Sequence, residues 1–210
     1  LLGTLGTLGG DDGIRAEATR RFEAAHRRSG AEIVPIDANI ESAVLDVVAA
    51  RGLPDDYELM LARYRNPGTP QEELRYLGAL ARFHEVDLGR RTFDLAMSEV
   101  RTQNAPYLVL ALLTNRVIGP TVWQWVTADW STILDRFPDN SHARMLDGVR
   151  ALCQDPSLAE EVTRFLNEHP VRAGQRTVRQ ALERLAINVA FAGRERSTLG
   201  AVFGQLVGTR

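Results

Sequence analysis

The chain has 210 residues, 44% hydrophobic and 25% charged, the composition of one large globular domain or two small ones. Its net charge of −2 offers no field for nucleic acid or anionic membranes, and its longest apolar run, YLVLALL at 107–113, is too short to span a bilayer. All 25 basic residues are Arg, which excludes P-loop lysine and Schiff-base chemistry, and the single Cys153 excludes an internal disulfide framework.

The first ten residues, LLGTLGTLGG, match neither G-x-G-x-x-G nor a Walker loop. They read as a helix end running into a turn, at a cut through a longer polypeptide. Residues 11–28 form a charged amphipathic helix with Ile14, Ala18, Phe22 and Ala25 along one side. Asp37 is placed to cap a helix over 37–52 that Gly52 stops. Pro54 with Asp55 and Asp56 opens the next, over 54–66, and Pro70 with Glu72 and Glu73 starts another through Phe83. Further helices are predicted at about 85–99, 105–116, 119–137, 139–153 and 156–168, with a last one running from Gly174 beyond Ala190. No segment alternates with period two. The expected fold is all-α, a single domain over 1–210 of antiparallel helix pairs stacked as a HEAT-like α-solenoid.

His84 and Glu85 begin an H-E-x-x-H pattern, but Leu88 stands where the second imidazole is needed one turn on. His26, His142 and His169 lie in other segments, and Arg27 and Arg28 beside His26 would repel a cation. HEVDL therefore reads as a helix start, with Glu85 and Asp87 favoured by the first-turn amides, and no metal or other cofactor is expected in this segment. Arg20 and Arg21, with Arg27 and Arg28, are interspersed with Glu17 and Glu23 and read as a solvated face. Cys153 reads as a buried structural thiol, and no G-x-S-x-G elbow occurs. Trp123 and Trp130 are seven apart on one helical face with Val126, Ile133 and Phe137 close by, so Trp123, Trp130 and Phe137 are predicted core. Trp125 points elsewhere, towards a neighbouring helix or a groove. The chemistry of these side chains describes no enzyme.

The block 99–147 carries Arg101, Gln103 and Pro106, then Asn115 and Gly119, then Trp123, Trp130, Arg136, Phe137, Pro138, Asn140 and Ser141. This order resembles the C-terminal helical domain of gluzincin aminopeptidases of the aminopeptidase N and puromycin-sensitive type. The tail FLNEHPVRAGQRTVRQALERLAINVAFAGRE is similar to that family's closing helices, especially in actinobacterial members. The likeness is firmest over 72–196; it departs at Asn104, often Asp in the family, and at Trp125, usually a smaller aromatic.

The resemblance implies a cytoplasmic zinc enzyme whose H-E-x-x-H motif, downstream Glu ligand and substrate-amine motif lie in a catalytic domain of the same polypeptide. This segment would cover the active site, enclose a chamber for peptide substrates and limit their size. Arg101, Gln103, Asn104 and Trp125 are its candidate contacts with substrate or with the catalytic domain. Gln103 or Asn104 capping the helix that begins near Ala105 is the competing reading of that loop. A stand-alone helical scaffold that binds a protein partner is the alternative to a peptidase lid.

Overall fold

The computed structural model describes residues 1–26 and 34–207, so Arg27 and Arg28 of the basic cluster lie outside the described residues. All regular structure among the described residues is helical, as the sequence predicts. The chain divides into two compact units, Leu1–Leu95 and Ala96–Arg210.

The N-terminal unit contains α1 (Leu2–Thr7), α2 (Asp12–His26), α3 (Ala38–Ala49), α4 (Pro54–Arg65), α5 (Pro70–Leu80) and most of α6 (Val86–Ser98). Local chemistry sets the helix starts. The Asp37 carboxylate accepts from the Asn39 amide at 2.8 Å, and Thr69 Oγ1 accepts from the Glu72 amide at 3.1 Å. Pro54 and Pro70 stand in the first turn, where no amide donor is needed. Gly52 ends the turn after α3 at φ 75°, and a Cβ there would collide with the Glu85 carboxylate.

In this unit α3 packs against α1, α2 and α5, and α4 packs against α5. Phe22, Leu45, Tyr57, Met60, Tyr76, Leu80, Phe83 and Phe93 are its large, fully buried side chains. Two polar groups inside are matched: the Tyr57 hydroxyl meets Thr92 Oγ1 at 3.0 Å, and the buried Asp56 carboxylate accepts from Arg51 at 2.8 Å.

The C-terminal unit contains α7 (Ala105–Leu113), α8 (Gly119–Ala128), α9 (Trp130–Arg136), α10 (Asp139–Leu146), a 3-10 turn (Asp147–Ala151), α11 (Pro156–Glu168) and α12 (Gln175–Val207). The apolar α7 packs against α8, α10 and the 3-10 turn, while α12 packs against α10, α11 and that turn. A Cβ at Gly148 would come within 2.9 Å of Leu113 Cβ and 3.1 Å of the Leu110 carbonyl, so only glycine lets the turn approach α7 so closely.

Several boundaries differ from the sequence reading. The helix predicted over 119–137 is two helices, because Asp129 leaves helical geometry at φ −98°, ψ 18°. The one predicted over 139–153 tightens into the 3-10 turn after Leu146, and α5 stops at Leu80, short of Phe83. Cys153 is half-buried, where a buried thiol was predicted, because it follows the 3-10 turn in the open segment before α11.

Candidate functional site

The loop 101–104 lies in the C-terminal unit, just before α7. The Arg101 carbonyl accepts from the Asn104 amide at 2.8 Å and the Ala105 amide at 3.0 Å, which turns the chain into the helix. Arg101 and Gln103 are exposed, and Asn104 is half-buried. Asn104 occupies the cap position, yet its side chain makes no capping hydrogen bond. Gln103 makes no side-chain hydrogen bond among the described residues. The capping reading of this loop is therefore not what the geometry shows.

Arg136, at the end of α9, holds the base of the loop. Its Nε donates to the Ala96 carbonyl at 3.2 Å, and its Nη2 donates to the Ser98 and Val100 carbonyls at 3.0 Å each. Those acceptors are the carbonyls left unpaired where a helix ends, and a planar fork serves several of them at once. This role was not read from the sequence, although Arg136 stood in the family pattern beside Phe137. No local signal could have found it, because its acceptors are 36 to 40 residues away.

The Trp residues divide. Trp123, Trp130 and Phe137 are buried, at 0%, 9% and 3% exposure, and Trp125 is half-buried. Trp123 and Trp130 both meet Phe165 of α11 edge-on, with ring centroids 5.5 Å and 5.3 Å apart. The break at Asp129 does not separate them. An open groove of about 640 Å³ runs between α11 and α12, lined by Ala159, Glu160, Arg164, Leu185, Ala186 and Val189 among others.

No group of three or more His, Cys, Asp or Glu side chains among the described residues could hold a metal ion. Leu88 is buried, so the second position of the HEVDL pattern belongs to the core. His169 donates from Nδ1 to the Phe165 carbonyl at 2.9 Å and stacks on that ring, and His142 is buried with neither ring nitrogen hydrogen-bonded among the described residues. The basic face of α2 is internally matched. Glu17 accepts from Arg20 and Arg21, and these hydrogen bonds lower its pKa from 4.5 to about 2. No helix among the described residues is long and apolar enough to cross a membrane.

The ERAP1-like C-terminal domain family matches residues 1–187. The chain belongs to that family. This ERAP1-like domain is 27% identical over 210 residues to aminopeptidase M1-A of Oryza sativa subsp. japonica, covering 98% of the chain and 24% of the relative. It is 28% identical over 193 residues to aminopeptidase M1 of Arabidopsis thaliana, covering 90% of the chain and 21% of the relative. With aminopeptidase N of Rattus norvegicus it shares 24% identity over 163 residues, covering 74% of the chain and 17% of the relative. The ERAP1-like domain thus spans about a quarter or less of the length of each of these relatives. The resemblance carried by residues 99–147 and the family match agree.

Proposed function

We propose that this ERAP1-like domain is the non-catalytic C-terminal part of a zinc aminopeptidase that removes N-terminal residues from peptides. The observation that carries this reading is the family match over 1–187, together with relatives whose names are those of aminopeptidases. Its partner is the catalytic domain of the same polypeptide. Zinc, in this reading, is held by that domain. In this reading the helices form a HEAT-like array over the active site, both units act as one domain, the chamber limits peptide size, and the enzyme works in the cytoplasm.

The loop 101–104 supports a role in contact. It presents the exposed Arg101 and Gln103 from a base clamped by Arg136, and a guanidinium and an amide are suitable donors for peptide carbonyls or carboxylates. Trp125 is the second candidate contact, on α8.

Purification of the complete polypeptide that carries this chain tests the proposal. It should hold zinc and release N-terminal residues from short peptides, with rates that depend on peptide length. A polypeptide with neither zinc nor peptidase activity would overturn it and favour a helical scaffold.

A further inference from the structure

Three hydrogen-bond contacts run in series where α2, α3 and α5 of the N-terminal unit meet. His26 Nδ1 lies 2.9 Å from the Phe22 carbonyl, His26 Nε2 lies 2.9 Å from the Tyr76 hydroxyl, and that hydroxyl lies 3.1 Å from Glu41 Oε1. Glu41 Oε2 accepts from Arg75. The imidazole stacks on the Phe22 ring with centroids 4.3 Å apart, which holds it in line with its partners. Both ends of the series, a carbonyl and a carboxylate, only accept. Each of the three contacts therefore needs one proton from the two groups between. A neutral imidazole and a tyrosine together carry two such protons, and only the imidazolium supplies the third.

We propose that this series is a proton-operated switch at the joint of α2, α3 and α5. With His26 neutral, Nδ1–H donates to Phe22, the Tyr76 hydroxyl donates to Glu41 Oε1, and the contact from Nε2 to the Tyr76 oxygen holds no proton. When Nε2 takes up a proton from solvent it donates to the Tyr76 oxygen, while the Tyr76 hydroxyl keeps its bond to Glu41. One proton bound at α2 thereby makes a hydrogen bond between α2 and α5. No other bond is made or broken.

The charges around the imidazole set where the switch operates. Burial is the largest influence and holds His26 below its ordinary value. The Phe22 carbonyl, Glu41 of α3 and Glu72 of α5 favour the proton, whereas Arg63 of α4 disfavours it. Burial also raises Tyr76, so its hydroxyl keeps its own proton throughout. Neutral pH accordingly leaves the His26–Tyr76 bond unmade, and acidification makes it. Because the folded pKa of His26 lies below the unfolded value of about 6.5, its contribution to stability is complete above that pH. The contribution is lost as pH falls through the folded pKa, and the bond gained by Tyr76 limits that loss.

The test is an NMR titration of the full chain, following the His26 ring and the Tyr76 Cζ carbon, which reports how its hydroxyl is bonded. The Tyr76 signal should move with the same midpoint as the His26 ring, and a Tyr76 signal flat across that titration would overturn the switch. In Tyr76→Phe the imidazole keeps only the Phe22 contact, and its proton affinity should fall by about ten-fold, or one pKa unit. An unchanged or raised His26 midpoint in that variant would also overturn it. Should Tyr76→Phe fail to fold, the wild-type comparison decides alone.

Discussion

Arg136 Nη2 donates to the Val100 carbonyl at 3.0 Å, linking the end of α9 to the residue before the exposed loop, 36 residues earlier in the chain. With the bonds to Ala96 and Ser98, this one guanidinium closes the end of α6 and fixes where the loop begins. Arg136→Ala should therefore cost about 2–3 kcal/mol, the range for charge-assisted hydrogen bonds whose acceptors are left behind. Arg136→Lys should recover only part of this, since an ammonium lacks the fork. Denaturant melts of the three proteins check both statements.

Gln103→Ala should leave stability unchanged to within about 0.5 kcal/mol, because the side chain is exposed and holds no capping bond. If the complete polypeptide is the proposed aminopeptidase, the same change in it should lower kcat/KM for long peptides and spare single-residue substrates. Equal kinetics across a series of peptide lengths would remove Gln103 from the contact.

Trp123→Ala should cost about 3–5 kcal/mol, as a buried indole leaves a cavity against Phe165. Trp125→Ala should cost clearly less, since that ring is half-buried. Among the described residues, Trp123 Nε1 is buried without a hydrogen-bond partner. Trp123→Phe should therefore destabilise less than its loss of volume suggests, because it also removes an unsatisfied donor. Equilibrium unfolding of the three variants distinguishes these costs.

The purified chain should bind no stoichiometric zinc and cleave no aminoacyl substrate. Metal analysis after dialysis and a fluorogenic assay read this directly. One tightly held zinc per chain would contradict it.

Glu17 should contribute to acid sensitivity. Its folded pKa is lowered to about 2 from 4.5 by Arg20 and Arg21, so its contribution is present above the unfolded value and is lost as pH falls from 4.5 towards 2. Glu17→Gln should flatten the pH dependence of melting in that window. Raised salt should do the same to the wild type, since the ion pairs lie within reach of solvent.

The helical class, most helix starts and the family were legible in the sequence. Caps and first-turn prolines act within three or four residues, so Asp37, Pro54 and Pro70 announce their helices whatever surrounds them. The reading of HEVDL as a helix start was equally local, because the spacing of one imidazole and Leu88 one turn on is a property of the sequence alone. What tertiary structure decided lies at longer range. The break at Asp129 carries no Pro or Gly to mark it, and packing of Trp123 and Trp130 on the same Phe165 holds the two short helices in place. The acceptors of Arg136 and the partners of His26 lie tens of residues away, and a side chain's donors acquire direction only when the fold delivers their acceptors.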